Sequence, residues 1–105
     1  MKYTARFSEA AEQDVLELLD YLMPRAGERV ARAYVDRLID YCVAFETFPE
    51  RGHRRDDMSP GLRIVGYHRK ATIAFRVLGT AVTILRIYHG GRNIDLSDFA
   101  DADLS

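Results

Sequence analysis

The segment LRIVGYHRKATIAFRVLGTAVTILRIYH, residues 62–89, decides the fold. It contains three runs rich in β-branched and aromatic residues, which is typical of strands. The runs are Leu62–Tyr67, Lys70–Leu78 and Ala81–His89. Gly79 and Thr80 separate the last two runs, with glycine first, which predicts a tight type II′ hairpin. His68 and Arg69 mark a further turn, so the segment predicts three consecutive strands.

The residues upstream predict one strand followed by two helices. KYTARF, Lys2–Phe7, alternates apolar and polar residues, as a strand with one buried face does. Ser8 is a suitable N-cap for a first helix, which we expect Pro24 to end. A second amphipathic helix is expected to begin at Gly27 and to run to about Thr47. The apolar positions of the two helices are Ala11, Val15, Leu18, Leu19, Leu22, Val30, Ala31, Tyr34, Val35, Leu38, Cys42 and Phe45.

These elements together predict an α+β fold with the order β-α-α-β-β-β. Neither helix can bury its apolar stripe alone, so we expect the helical hairpin to pack on one face of a mainly antiparallel sheet. The length of 105 residues predicts one domain, residues 1–105, with a flexible tail over 94–105. Phe48–Gly61 is a longer connection than most, and such loops are often functional.

The net charge of −1 conceals a strong asymmetry along the chain. Residues 1–50 carry 6 basic and 10 acidic side chains, residues 51–92 carry 9 basic and 2 acidic, and residues 93–105 carry 4 acidic and none basic. The middle segment is therefore a basic island between acidic flanks. Such an island attracts phosphates or acidic protein surfaces. The alternative is that its arginines only keep the strands soluble.

Several classes of protein are disfavoured by composition. The single cysteine, Cys42, excludes an internal disulfide and falls at an apolar helix position, so we interpret it as a core residue. His53, His68 and His89 are too far apart in sequence for a familiar zinc motif, and we expect neither a metal nor another cofactor. No apolar run approaches the length of a membrane span or of a signal peptide. We therefore expect a cytoplasmic protein without a membrane partner.

RNA cleavage is the catalytic function that the residue types allow. It requires a general base, a general acid and cations that stabilise the phosphorane. His89 is the candidate acid or base, and Arg63, Arg86 and Arg92 are candidate cations. Strand alternation groups Arg63 with Val65 and Tyr67, Arg76 with Ala74 and Thr72, and Arg86 with Ile84 and Tyr88. It predicts that the three arginines converge on the sheet face away from the helices. The alternative for His89 is a strand-end residue whose ring bonds a neighbouring carbonyl.

Three pieces of sequence in this order, FPERG, PGLRIVGYHRKATIAFRV and VTILRIYHGGRN, resemble a known family. They look like the ParE branch of the RelE/ParE toxin superfamily, the toxins of type II toxin–antitoxin (plasmid stabilisation) modules. The resemblance extends from the first strand to Asn93. It implies the β-α-α-β-β-β fold described above and a partner antitoxin of the ParD type, encoded beside the toxin.

The resemblance also implies a target, and two branches of the superfamily differ in it. ParE-type toxins inhibit DNA gyrase by binding it, whereas RelE-type relatives cleave mRNA on the ribosome. Four acidic residues after Asn93, and no tyrosine after Tyr88, oppose an RNA substrate and favour the non-enzymatic ParE branch. A RelE-type endonuclease would use His89, Arg63, Arg92 and Tyr88. A relative that binds antitoxin but has lost its activity is the third possibility.

The resemblance and the charge pattern together nominate two sets of contact residues. The first set is basic and would contact gyrase or an acidic part of the antitoxin: Arg51, Arg54, Arg55, Arg63, Arg76, Arg86 and Arg92. The second set is apolar and would line a groove for the antitoxin: Val15, Leu18, Leu22, Val35 and Leu38. We do not expect this chain alone to bind DNA with sequence specificity.

Overall fold

The computed structural model of the protein describes residues 2–68 and 70–89. Its elements are β1 (Thr4–Phe7), α1 (Glu9–Ala26), α2 (Glu28–Val43), a 3₁₀ turn (Ala44–Glu46), β2 (His53–Arg54), β3 (Leu62–Tyr67), β4 (Ala71–Leu78) and β5 (Ala81–His89). The predicted α+β fold is confirmed, and two of the three late strands have the predicted bounds. β2 was not predicted, because a two-residue strand is too short to show an alternation.

The strands form one sheet in the order β1-β5-β4-β3-β2. β1 pairs with β5 in parallel, and every other neighbouring pair is antiparallel. The prediction of a mainly antiparallel sheet is therefore confirmed. Since β1 and β5 are parallel neighbours, the chain between them has to cross over the sheet, and the helical hairpin is part of that crossover.

Both helix boundaries have local causes in the sequence. The Ser8 hydroxyl accepts a hydrogen bond from the Ala11 amide at 3.0 Å, which confirms the predicted N-cap of α1. Pro24 lies inside the last turn, and α1 continues to Ala26, so the prediction that Pro24 ends the helix is wrong by two residues. Proline at position 24 removes the amide that would donate to the Asp20 carbonyl, and the helix ends within two residues of it. Gly27, at φ +88°, then redirects the chain into α2.

The main core lies between the helical hairpin and one face of the sheet, which we call the helix-side face. Phe45, Phe75 and Ile84 are fully buried there. The ring centroids of Phe45 and Phe75 lie 4.6 Å apart, so the end of α2 is packed directly on β4. The expectation that the sheet covers the apolar stripes of both helices is confirmed.

A smaller cluster lies on the opposite face of the sheet, which we call the far face. Leu62, Ala74 and Tyr88 are buried there, with Met58 and other partly buried side chains packed against them. Because Met58 belongs to the connection between β2 and β3, part of the long predicted loop folds over the far face rather than projecting into solvent.

The outer edge of β1 is closed at its centre by a side chain. The Ala5 amide points away from β5 and donates a 2.6 Å hydrogen bond to the Glu46 carboxylate in the 3₁₀ turn. A strand at a sheet edge normally presents such amides to solvent. Glu46 therefore satisfies this amide and also ties the end of the helical hairpin to the sheet.

Gly52 allows β2 to lie against β3, and we expect Gly52→Ala to destabilise the protein by at least about 2 kcal/mol. Its φ of +69° is in the left-handed region, and an added Cβ would lie 2.0 Å from the carbonyl oxygen of Ile64. Gly66→Ala is the matched control, since nothing lies within 4 Å of its added Cβ. Urea unfolding of both variants measures the difference. Equal stabilities would contradict the steric argument.

Candidate functional site

A bulge in β5 separates Ile84 from Arg86 and Tyr88, which sequence alternation placed on the same face as Ile84. Ala74 lies opposite Arg86 while Phe75 lies opposite Ile84, so Leu85 is an extra residue in β5. Ile84 consequently faces the main core, whereas Tyr88 belongs to the far-face cluster. The prediction that these three residues share one face is wrong, because a bulge shifts the alternation by one residue.

Arg86 instead forms a buried ion pair with helix α1. Its Nε and Nη2 atoms donate to the Asp14 carboxylate at 2.7 and 3.0 Å. The same carboxylate accepts a 2.8 Å bond from the Ile87 amide, and the Asp14 side chain is 3% exposed. Beyond the end of β1, helix α1 thus lies beside β5. Asp14 was missed in the sequence, although a charged residue between Ala11 and Leu18 on an apolar helix face was a usable signal.

Arg76 is likewise used inside the structure. It is 8% exposed and donates a hydrogen bond to the hydroxyl of Ser59, which is 1% exposed. Ser59 lies in the connection between β2 and β3, so this bond holds that connection against β4. Burial of both partners indicates that Arg76 stabilises the far face rather than offering a surface contact.

Arg63 lies on the other face of the sheet from Arg76 and Arg86. It is opposite Phe75, whose ring is in the main core, whereas Arg76 is opposite Leu62 in the far-face cluster. The predicted grouping of Arg63 with Val65 and Tyr67 is confirmed. The predicted convergence of three arginines on the far face is wrong, because that grouping faces the helices.

Four further arginines of the basic island surround the connection after the helices. Arg51 donates to the Phe48 carbonyl at 3.1 Å, and Arg63 donates to the Arg51 carbonyl at 3.0 Å. Arg54 and Arg55 form exposed ion pairs with Asp56 and Asp57, respectively. The bond from Arg55 lowers the pKa of the Asp57 carboxyl. These four arginines are on or near the surface, unlike Arg76 and Arg86.

The three described residues proposed for RNA cleavage, Arg63, Tyr88 and His89, are not brought together. His89 lies level with Ala71 and Tyr67, four residues along β3 from Arg63, which puts about 13 Å between them along the strands. The His89 ring contacts Tyr21 of α1, at a centroid distance of 5.2 Å. Tyr88 is 2% exposed in the far-face cluster. Arg92, and with it the turn and tail from residue 90 onward, lies outside the described residues.

The five apolar residues predicted to line an antitoxin groove belong to the core. Leu18, Val35 and Leu38 are buried between helices and sheet, and Val15 and Leu22 pack against the same cluster. The groove prediction is wrong for the three buried residues, because a partner could reach them only by separating the hairpin from the sheet. The exposed large apolar side chains are elsewhere: Leu16, Tyr21, Val30, Val43, Phe48 and Leu78.

Two adjoining hollows lie at the end of the helix-side face where β3 begins. Their volumes are about 320 and 210 Å³, and they share Tyr3, Pro49 and Glu50. We call the pair the loop hollow. Phe48, which is 65% exposed, lines one part, and Arg54 and Arg63 line the other. The loop hollow thus combines apolar surface with cations, a combination that suits an amphipathic segment of a protein.

Cys42 is a core residue, as predicted, and we expect it to resist thiol reagents at pH 8. It is 0% exposed, and burial raises the pKa of its thiol to about 12. Since the thiolate is the reactive form, labelling of the folded protein is expected to be more than about 100-fold slower than labelling in urea. The raised pKa contributes its full amount to the free energy of unfolding below about pH 9. This contribution falls as the pH rises toward 12, because the thiol of the unfolded chain ionises at a lower pH than the thiol of the folded protein. Equal labelling rates in the folded and urea-unfolded protein would contradict this environment.

Comparison with known proteins assigns a family to this fold. The family model described as the ParE toxin of the type II toxin–antitoxin system, parDE, matches residues 5–94. The chain belongs to the ParE toxin family. The resemblance seen in the sequence is thereby confirmed, and the protein is a ParE-like toxin of a type II toxin–antitoxin system.

A sequence relative and two solved structures are similar to this ParE family member. Toxin ParE3 of Caulobacter vibrioides is 34% identical over 68 residues, which cover 65% of this chain and 67% of the relative. The chromosomal ParDE system of P. aeruginosa matches with a TM-score of 0.73 and 22% identity, over 84% of this chain and 96% of that one. The RelBE2 toxin–antitoxin complex of Mycobacterium tuberculosis matches with a TM-score of 0.60 and 21% identity, over 86% of this chain and 100% of that one. The two structures confirm the fold.

Two features are absent from the described part of the chain. No helix within residues 2–68 and 70–89 is long and apolar enough to cross a membrane. The same residues contain no group of three or more histidine, cysteine, aspartate or glutamate side chains placed to hold a metal ion.

Proposed function

We propose that this ParE family member inhibits DNA gyrase by binding to it in the cytoplasm, and that a ParD-like antitoxin neutralises it. The observation that carries the proposal is the separation of the candidate nuclease residues. His89 contacts α1, Tyr88 is buried on the far face and Arg63 lies at the other end of the sheet. General acid–base catalysis needs its groups within hydrogen-bond reach of one substrate, which this arrangement does not provide.

The same geometry reduces the set of basic residues offered to a target. Arg76 and Arg86 are engaged by Ser59 and Asp14 inside the structure. Arg51, Arg54, Arg55 and Arg63 surround the connection after the helices, where a partner protein can reach them. We therefore place the target or antitoxin contacts of the basic island at these four residues.

Purified gyrase provides the test of the target. We expect the isolated toxin to abolish supercoiling of a relaxed plasmid or to trap gyrase–DNA breaks, and the purified antitoxin to restore activity. The same toxin is added to a cell-free translation reaction in which the mRNA is followed by primer extension, and the mRNA is expected to remain intact. His89→Ala is expected to retain the effect on gyrase.

The two reactions distinguish the proposal from its alternatives. Intact supercoiling together with codon-phased mRNA cuts that disappear in His89→Ala would replace the gyrase proposal with a RelE-type nuclease. No effect in either reaction, with antitoxin still bound, would identify a relative without activity on these targets. Arg29→Gln, on the exposed side of α2, controls for the loss of one positive charge.

A further inference from the structure

Arg63 lines the loop hollow, and Arg51 follows Glu50, which lines both parts of it; neither arginine is neutralised by the described part of the protein. Arg51 and Arg63 each donate from Nε to a backbone carbonyl, and neither has a carboxylate partner within residues 2–68 and 70–89. The two bonds share Arg51: the Arg63 side chain donates to the Arg51 carbonyl, and the Arg51 side chain donates to the Phe48 carbonyl. They orient both guanidinium groups without satisfying their terminal amino groups, which suits a carboxylate ligand.

Three aromatic side chains lie near the guanidinium group of Arg51. The Arg51 guanidinium carbon lies 5.4 Å from the centroid of the Tyr41 ring, 5.5 Å from that of Phe45 and 5.8 Å from that of Phe48. Phe45 is fully buried, so the group is anchored in the core, whereas Phe48 is largely exposed. An exposed phenylalanine that stacks on an oriented arginine is the kind of anchor found at the centre of protein interfaces.

The hollow also offers room for an apolar side chain between the cations. Tyr3, just before β1, and Pro49 line both parts, and Val77 of β4 lines the part that contains Arg63. The part lined by Phe48 has a volume of about 320 Å³, which is ample for a leucine or an aromatic side chain. The loop hollow is therefore lined by both apolar and polar side chains, and the guanidinium groups of Arg54 and Arg63 lie in the smaller of its two parts.

From this arrangement we infer that the loop hollow binds a segment of the antitoxin that carries a carboxylate beside a large apolar side chain. The inference rests on the proposed function, which supplies the antitoxin, and it selects one surface for that partner. The carboxylate contacts Arg63 and Arg54, and the apolar side chain lies against Tyr3 and Phe48. Nucleic acid is disfavoured because Glu50 and Asp56 stand beside the same cations and repel a chain of phosphates more strongly than they repel a single carboxylate.

The test measures the affinity of the full-length toxin for its purified antitoxin by isothermal titration calorimetry. We expect Arg63→Gln to weaken binding about 10- to 100-fold. Phe48→Ser, which leaves every charge in place, is expected to weaken it about 5- to 20-fold. Arg29→Gln is the matched control and is expected to stay within about twofold of the wild type. Circular dichroism melting of each variant shows whether it is folded.

Arg54→Gln provides a second charge variant should Arg63→Gln fail to fold, since Arg54 makes only an exposed pair with Asp56 among the described contacts. Fifteen-residue peptides that tile the antitoxin identify the segment, and the bound peptide is expected to lose affinity when its acidic residues become lysine. Unchanged affinity in Arg54→Gln, Arg63→Gln and Phe48→Ser would overturn the loop hollow as the site while leaving the antitoxin partner intact.

Two other outcomes would change the partner or the class of ligand. No binding between the wild-type toxin and the antitoxin would remove the proposed function itself. Arg63-dependent binding of a 20-residue oligothymidylate, without binding of any antitoxin peptide, would assign the hollow to nucleic acid.

A full chain with Asp95, Asp98, Asp101 and Asp103 changed to asparagine tests this protein's own acidic tail. At least tenfold tighter peptide binding by that variant would show that the tail occupies the hollow first.

Discussion

Replacing Asp14 with alanine is expected to lower the free energy of unfolding by about 3–5 kcal/mol. The change leaves the Arg86 guanidinium, whose side chain is 16% exposed, without its carboxylate, and it leaves the Ile87 amide without its acceptor. A domain of this size is stable by only about 5–15 kcal/mol, so the loss is a large part of the total. Thermal melting followed by circular dichroism is expected to show a decrease in Tm of at least about 12 °C.

Asp20→Ala controls for the loss of a negative charge from the same helix. Asp20 is exposed, so its variant is expected to change stability by no more than about 0.5 kcal/mol. The double variant Asp14→Ala/Arg86→Ala measures the coupling between the two side chains. If the single substitutions simply add in the double variant, the ion pair is not the source of the effect.

Phe45→Ala is expected to destabilise the protein by about 3–5 kcal/mol. The ring is fully buried and joins Tyr41 on one side to Phe75 on the other, at centroid distances of 5.4 and 4.6 Å. Its removal leaves a cavity between the 3₁₀ turn and β4, where the rigid sheet can close only partly. Unfolding in urea gives the free energy directly, with the m-value checked for a change in the unfolded state.

Phe48→Ala is the matched control, because it makes the same chemical change three residues further along the chain. Its ring is 65% exposed, so the expected loss of stability is below about 1 kcal/mol. The pair separates two roles for neighbouring phenylalanines, one in the core and one on the surface. A loss in Phe48→Ala as large as that in Phe45→Ala would show that the loop is part of the cooperative core.

The parts of the fold that could be predicted from the sequence are those in which apolar residues recur with a regular period. The alternation in Leu62–Tyr67 and Ala81–His89, and the 3.6-residue period of both helices, gave the elements and their order. The bulge at Leu85 breaks that period, so the predicted grouping of Ile84 with Arg86 and Tyr88 was wrong, although Arg86 and Tyr88 do share one face. The alternation also grouped Arg63 correctly with Val65 and Tyr67, but it carries no information on which face the helices cover.

The candidate site was less predictable, because its residues come from separate elements. Arg54, Arg63 and Phe48 were visible as a basic and apolar loop, yet the bonds between the loop carbonyls and Arg51 and Arg63 depend on the folded path of the chain. Asp14 was visible only as an exception within an apolar stripe. The apolar groove was mispredicted because helix periodicity marks buried residues without telling whether the sheet or a partner buries them.

The carboxylate of Glu46 has a consequence for self-assembly. Sheets polymerise when one free edge of a molecule pairs with a different free edge of the next, which leaves a new edge exposed each time. Since Glu46 occupies the central outward amide of β1, a strand from another copy cannot take that hydrogen bond without displacing it. Among the described strands, edge pairing between copies is then left to the β2–β3 side, where two identical edges meet and close on each other. A dimer is the natural end of such an association, and a fibril would first require the loss of the Glu46 contact.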